Sequence, residues 1–384
     1  MPAHTKRSKK KAPDCAATDS NVARARQRVP KKSAVRLDDW EFNSAVMKYW
    51  MRGYSNQEIL DAMEAEFGEA GKMGRETPTR ILRYVAKMGY LLYNPPYQLP
   101  LAYKIRDKFK WLKTVDVVNT MLATDVARAA AKTLLELVQE FHDSYPDAEE
   151  VNIAMAAGLS TRTMAQALAD MLAYPGPDDM ELPKRIAFHS LVSGHSPGSP
   201  TTSPNAYFSY FVSPPDFVVE RRFVGLHAPA IVRTRDIPRL MQTPEIAEAF
   251  AQVPDLDIIV TSGADWNDPH GSLRSAMEQS PSSLQRLLDK GTVCDMMWRP
   301  LSRKAPVEVQ TEMRALTLME LSDLPDFRRT KRVLLMLGPC AQCNRSKESV
   351  LETILAQEEH LVTNIVIDSR TAREVVKAIK AKRI

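Results

Sequence analysis

The chain has 384 residues, 44% apolar and 26% charged, with a formal net charge of +5. This balance suits two or three folded domains and excludes a collagen, a wholly disordered chain and a disulfide scaffold. Four cysteines point to a reducing, cytoplasmic setting, and no membrane partner is expected because runs such as VLLML before Gly338 fall far short of a span of ~18 residues.

Residues 1–36 carry 11 Lys/Arg against 2 Asp/Glu, a balance of +9, whereas the remaining 348 residues balance at −4. The segment has almost no bulky apolar residue to offset its ordering entropy, so it reads as a disordered basic tail. No apolar core follows it, so no secretory signal is expected. Such a tail either adds non-specific attraction to phosphates or serves as a solubilising or targeting extension.

Residues 37–94 read as a three-helix unit. Asp38 or Asp39 caps a first helix, and Phe42, Ala45, Val46, Tyr49 and Trp50 recur at helical spacing until Gly53 stops it. Ser55 with Glu58 forms a capping box for a second helix whose inner face is Ile59, Ala62 and Met63. After GEAGKMG (68–74), Thr77 caps a third helix with Pro78 at its first position and Gly89 at its end. Ile81, Leu82, Val85 and Met88 face inward, while Thr79, Arg80, Arg83, Tyr84 and Lys87 form a basic outer face below Lys72 and Arg75. A short capped helix, a connection and a basic helix make a helix-turn-helix arrangement, with double-stranded DNA as the partner. The connection is longer than the ~3–4 residues usual for that motif.

The prolines at 95, 96 and 100 mark 95–122 as a linker and lead-in segment, with a short basic helix over 101–113 and a strand over Val115–Val118. Residues 123–384 read as an effector domain, beginning with a helical stretch over Ala123–Phe141. From Val151 the chain alternates apolar strand, polar loop and helix: VNIAMAA, RIAFHSLV, DLDIIVT, KRVLLMLG and LVTNIVI are the strands. This pattern indicates α/β architecture with a mostly parallel sheet covered on both faces, and ligands bind outside the carboxyl ends of such strands.

That rule selects a candidate binding site. Gly158, Ser160, Thr161, Arg162 and Thr163 leave a strand and open a helix, offering N–H groups, hydroxyls and a guanidinium to an anion such as phosphate. Ser262, Gly263, Asp265 and Asn267 suit sugar hydroxyls, Lys347 supplies a second cation, and Asp368 ends the last strand. Against this, Ser and Thr here serve equally well as helix caps, and Asp368 as a turn opener. Cys340-Ala341-Gln342-Cys343 has the spacing of a zinc half-site or redox pair. A second pair is missing, although Cys294 with His189 or His195 could complete it from other loops. No resident metal or cofactor is expected.

Several stretches resemble the SorC family of sugar-binding transcriptional regulators over residues 40–384. MKYWMRGYSNQEI and TPTRILRYVAKMGYL are similar to its helix-turn-helix, and LAYKIRDKFKWLKTVDVV to its lead-in to the effector domain. NIAMAAGLSTRTMAQAL is similar to its phosphate loop, and LHAPAIV, DIIVTSGADWND, LLDKGTVCDMM and NIVIDSRTAREVV to later units in the same order. The resemblance implies an effector domain related to sugar-phosphate isomerase/deaminase folds, binding a phosphorylated sugar within an oligomeric regulator, a homodimer or homotetramer. It implies phosphate contacts from Gly158, Ser160, Thr161, Arg162 and Thr163, a ligand contact from Lys347, and roles for Asp265, Asp295 and Asp368. GLSTRT carries less glycine than the family's loop, Cys294 stands where glycine is usual, and GPCAQCNRSK replaces the glycine pair ahead of the lysine. The reading is therefore a DNA-binding transcriptional regulator controlled by a small anionic metabolite, and not an enzyme. The alternatives are a sugar-phosphate isomerase/deaminase-like enzyme or a constitutive DNA-binding protein with a degenerate effector domain.

Overall fold

The computed structural model describes residues 40–87, 95–173, 181–194, 200–212 and 219–384. The basic tail, the Asp38/Asp39 cap, Met88, Gly89 and His195 lie outside the described residues. The chain divides into two units, at Tyr93 and Asn94.

In the first unit, α1 (Trp40–Met51), α2 (Asn56–Phe67) and α3 (Thr77–Lys87) enclose a core of Ala45, Val46, Met47, Ile59, Met63, Ile81 and Val85. The capping box is present: the Ser55 hydroxyl accepts from Glu58 N at 3.4 Å, and Ser55 N donates to Glu58 Oε2 at 2.7 Å. A 3-10 turn over Gly68–Gly71 joins α2 to the connection. A Cβ on Gly71 would stand 1.9 Å from the Met63 carbonyl oxygen, so only glycine permits this approach. Trp50, expected to face inward, is 47% exposed, because α1 turns its Ala45–Val46–Met47 side to its partners.

The second unit begins earlier than expected. Residues 95–122, read as linker and lead-in, are part of its fold: α4 (Leu99–Lys108) buries Ala102 and Ile105, and β1 (Thr114–Val118) forms an edge of the main sheet. Then follow α5 (Ala123–Ser144), β2 (Glu150–Met155), α6 (Leu159–Ala173), β3 (Arg185–Ser190), the single turn α7 (Pro204–Tyr207), β4 (Glu220–Val224) and β5 (Ile231–Arg233). Next come α8 (Ile237–Leu240), α9 (Pro244–Ala251), β6 (Ile258–Thr261), β7 (Gly263–Asp265), α10 (Ser272–Met277), α11 (Pro281–Asp289), β8 (Thr292–Met296) and β9 (Arg299–Ser302). The chain closes with β10 (Met313–Ala315), α12 (Leu324–Thr330), β11 (Arg332–Leu337), α13 (Glu348–Leu355), β12 (Asn364–Asp368) and α14 (Ser369–Lys380).

Seven strands form one parallel sheet in the order β1-β12-β11-β6-β2-β3-β4. Its central strands are apolar at nearly every position because both faces are covered, as alternate residues reveal. Ala154, Val333, Leu335, Leu337, Ile365 and Ile367 share a core with Val350 and Ile354 of α13 and Val375 of α14. Ile153, Met155, Leu334, Met336 and Val366 belong to a second core with Leu134 of α5 and Met164 and Leu168 of α6. Fully burying each such side chain contributes roughly 1.5–3 kcal/mol. Two small antiparallel sheets, β7-β8-β9 and β10-β5, supplement this layer structure and depart from the uniform strand–loop–helix expectation. No helix among the described residues is long and apolar enough to cross a membrane.

Candidate functional site

The order of the main sheet positions the site. β3 and β4 extend it on one side of β2, while β6, β11, β12 and β1 lie on the other. The β2–β6 boundary is therefore the topological switch point, where diverging connections leave a crevice at the strand carboxyl ends. A cavity of about 90 Å³ lies there. Its wall takes Gly158 and Ser160 from the loop after β2, Ser262, Gly263, Asp268 and His270 from the segment after β6, and Cys340 and Lys347 from the loop after β11. The β8–β9 hairpin adds Asp295 and Trp298.

Lys347 is buried and donates from Nζ to the Gly263 carbonyl oxygen at 2.8 Å. Burial lowers its pKa, opposed by Cys340, Asp295, Asp268 and Asp368. Asp295 is equally buried, and the loss of solvent pushes its carboxyl up to about 7 against the pull of Lys347. Burial also pushes Asp268 up. The hydrogen bonds it accepts from His270 N and Cys340, and its attraction to His270, outweigh that and leave it below its ordinary value. The site thus brings together a desolvated lysine amine and two carboxyls of opposite tendency, a pattern found at functional sites. Gly263 allows the close packing, since a Cβ there would meet Asp295 O and Val350 Cγ1, both at 2.8 Å. Ser262 Oγ is buried in this wall without a hydrogen-bond partner.

The loop after β2 is fixed from behind. Gly158, at φ +137°, donates from its N–H to the Thr202 carbonyl oxygen at 3.0 Å and to Tyr207 Oη at 2.9 Å. Tyr207, wholly buried, has the Gly158 and Thr202 carbonyl oxygens within 2.7 and 2.6 Å of its hydroxyl. Burial drives its phenol well above the ordinary range, so it stays neutral.

The expected binding residues therefore separate. Gly158, Ser160, Ser262, Gly263, Asp295 and Lys347 share one wall. Thr161, Arg162 and Thr163 do not line it. Thr161 is wholly buried, Arg162 donates to Thr201 Oγ1 at 2.8 Å, and Thr163 Oγ1 donates back to the Leu159 carbonyl oxygen at 3.0 Å. Asp265 also lies outside it, accepting from Asn267 N at 2.7 Å and from the Ser349 hydroxyl. Asp368 caps α14, accepting from Arg370 N, Thr371 N and Thr371 Oγ1 at 2.8, 2.9 and 2.6 Å. Its contacts are therefore structural ones, those of a helix cap where the sequence offered a turn opener.

Sequence reasoning passed over Asp268, Trp298 and Tyr207. Met297 and Trp298 form a tight hairpin with φ of 58° and 59°, a conformation usually signalled by Asn-Gly, so nothing in the residue types announced it. A larger cavity of about 280 Å³ shares Trp298 but is lined by Leu273, Met277, Leu287, Val307 and Val309. Its Arg299 and Arg314 both pair with Glu320, at 2.7 and 2.5 Å, and Glu308 adds a second carboxylate to the lining, which leaves no formal net charge for an anion.

In the first unit, Arg75, Arg80 and Arg83 are exposed and form no ion pair among the described residues. Lys72 is exposed but pairs with Glu64 at 3.4 Å and also with Glu69. Thr77, expected at the DNA face, is 5% exposed, buried under the start of α3. Thr79 accepts from Asn56 Nδ2 at 3.0 Å, and Tyr84 packs partly buried against the helical core. The Lys87 side chain lies outside the described residues.

No protein-family model matches the chain, and no curated protein sequence does. Solved structures do match in fold. The full-length sorbitol operon regulator SorC from Klebsiella pneumoniae has a TM-score of 0.63 at 15% identity, covering 88% of this chain and 99% of that one. A transcriptional regulator from Streptococcus pneumoniae has 0.55 at 17%, covering 73% and 97%. A DeoR family transcriptional regulator from Listeria monocytogenes has 0.52 at 17%, covering 72% and 98%. The likeness is one of fold.

Proposed function

We propose that the protein is a DNA-binding transcriptional regulator of the SorC type, whose operator affinity is set by a small sugar-derived ligand bearing a phosphate. One observation carries this reading: a capped three-helix unit with an exposed arginine face precedes, on one chain, a polar switch-point cavity containing a buried ammonium. The full-length sorbitol operon regulator has the same fold along nearly its whole length. In this reading α3 enters the major groove as the second helix of a helix-turn-helix, with Arg80 and Arg83 toward bases or phosphates and Arg75 toward the backbone. Ligand hydroxyls meet Asp295, Ser262 and Lys347, and a phosphate meets Ser160 and the first-turn N–H groups of α6. The ligand shifts DNA affinity by binding one arrangement of an oligomer, a homodimer or homotetramer, better than another.

The test is operator selection from random duplexes with the purified chain, paired with thermal shift across sugar phosphates, free sugars and polyols. A selected duplex whose affinity changes with a hit compound is the expected outcome, and Lys347→Met should abolish the change while leaving duplex binding intact. Absence of any sequence-selective duplex binding overturns the DNA reading. A second reading, an isomerase- or deaminase-like enzyme, draws on the buried Asp295 and Lys347, which suit acid/base chemistry. Turnover of a sugar phosphate by the same protein would favour it.

A further inference from the structure

The loops after β6 and β11 bring together four side chains that the sequence keeps about seventy positions apart. Asp268, His270, Cys340 and Cys343 each direct one ligand-type atom into a common space, and these atoms all lie within 4.8 Å of one another. His270 Nδ1 stands 3.1 Å from Asp268 Oδ1 and 3.6 Å from Cys340 Sγ. Metal–ligand bonds of about 2.0–2.3 Å place tetrahedral donors roughly 3.3–3.8 Å apart, so even the widest separation in the cluster needs to close by only about 1–1.5 Å.

Its surroundings are those of a built site. The 340–345 segment folds into a tight knuckle: Cys340 N donates to Arg345 O and Asn344 N to Cys340 O, both at 2.8 Å, with Asn344 in the left-handed region at φ +56°. Burial raises the Cys340 thiol above its ordinary value, partly offset by the hydrogen bonds its sulfur receives from the backbone N–H groups of Cys343 and Gln342. Across from it, Asp268 O accepts from Gly271 N at 2.9 Å, and Asp268 Oδ1 from His270 N at 3.0 Å, which fixes the carboxylate beside the imidazole. The adjacency of β6 and β11 in the sheet makes the two loops neighbours. Cys294 and His189 belong elsewhere: Cys294 is buried in the β7-β8-β9 layer, and His189 bonds Asn152 Oδ1 at 2.9 Å.

We propose that Asp268, His270, Cys340 and Cys343 form a binding site for a zinc-class divalent ion in the wall of the switch-point cavity. Two sulfurs, one imidazole nitrogen and one carboxylate oxygen in a tetrahedral set select Zn²⁺ over Mg²⁺ or Ca²⁺, which take oxygen ligands. Binding converts both thiols to thiolates and releases their two protons to solvent, while His270 binds neutral through Nδ1. Because Asp268, His270 and Cys340 also line the cavity, the ion would clamp two of its walls together. The inference stands apart from the regulatory reading, since it rests on these four residues alone.

The experiment uses the full chain, purified untagged without chelator from zinc-supplemented culture. Elemental analysis should find close to one zinc per chain. Cobalt(II) replacement should give the intense visible bands of a tetrahedral ion and a near-ultraviolet thiolate-to-cobalt band. Cys343→Ser, at an exposed position, should weaken the thiolate band and cut zinc affinity at least tenfold, with the circular dichroism spectrum unchanged. If Cys343→Ser fails to fold, His270→Ala read by the same cobalt spectrum replaces it. Stoichiometry below one zinc in ten chains, a cobalt spectrum without the thiolate band, or a Cys340–Cys343 disulfide in the freshly purified protein each overturns the assignment. Duplex binding by metal-free protein tests the regulatory reading separately.

Discussion

Replacing Asp295 with asparagine isolates the cost of a buried carboxylate beside the candidate ligand cavity. Asp295 is 5% exposed, and burial raises its pKa from 3.8 to about 7. In the unfolded chain the group ionises near 3.8, whereas in the folded chain it keeps its proton until about 7. Between those values the folded state binds more protons, so rising pH removes stability, at up to about 1.4 kcal/mol per pH unit. The loss is complete above the folded value and amounts to about 4 kcal/mol. Asp295→Asn removes the titration with the smallest change of shape. The difference in unfolding free energy, variant minus parent, should therefore grow by about 4 kcal/mol between pH 4 and pH 8. A constant offset from burying the amide enters equally at every pH. Urea unfolding at pH 4, 6 and 8 measures it, with chelator present so that no metal titration intrudes. Parallel pH profiles for the two proteins would refute the assignment of Asp295 as a desolvated, nearly neutral acid.

Arg80→Ala and Arg83→Ala should each weaken binding to the selected duplex by about 1–3 kcal/mol where the arginine reads a base, or flatten the salt dependence by about one unit where it meets a phosphate. Fluorescence anisotropy at several salt concentrations distinguishes these, and no change in either variant removes α3 from the interface. Tyr207→Phe strips the hydroxyl shared by Gly158 and Thr202. It should cost about 1–3 kcal/mol in urea unfolding of the second unit, and unaltered stability would mean that the Gly158 loop is held by other contacts. Gly71→Ala forces a Cβ to within 1.9 Å of Met63 O and 2.5 Å of Met63 C, both backbone atoms that cannot swing aside. It should abolish duplex binding while the melting transition of the second unit stays in place, and intact binding would show that the connection relaxes freely.

The main sheet was legible because its strands are buried on both faces. VNIAM, RVLLML and NIVID are continuous apolar runs, and the helices that separate them open directly from polar loops. The same logic hid the edge strand β4 of the main sheet and the small antiparallel sheets. β4 reads ERRFV, with only Val224 buried, and β8 reads TVCDM, where Asp295 interrupts the apolar run. The prolines at 95, 96 and 100 misdirected the reading of 95–122, because local breakers say nothing of the pairing that stitches Val117 opposite Ile367 some 250 residues later. The capping box at Ser55 was legible because its chemistry is complete within four residues. Trp50 went astray because helical periodicity defines a stripe, and tertiary packing decides which edge of that stripe is covered.

The polar residues at the strand ends divide by whether their bonding capacity is already spent. Asp368 uses both carboxylate oxygens on the first turn of α14, and a ligand could engage it only by displacing a cap that contributes about 1 kcal/mol. Thr163 and Arg162 are similarly committed to Leu159 and Thr201. Ser262 Oγ, by contrast, is buried in the cavity wall without a partner, and an unpaired buried polar atom costs about 1–3 kcal/mol that a bound hydroxyl would recover. Sequence patterns treat all these side chains alike, since each follows a strand and precedes a helix. Only the count of satisfied against unsatisfied groups separates residues that hold the fold from residues left available to a ligand. By that count Ser262 belongs with Lys347 and Asp295, buried ionisable groups of the same wall.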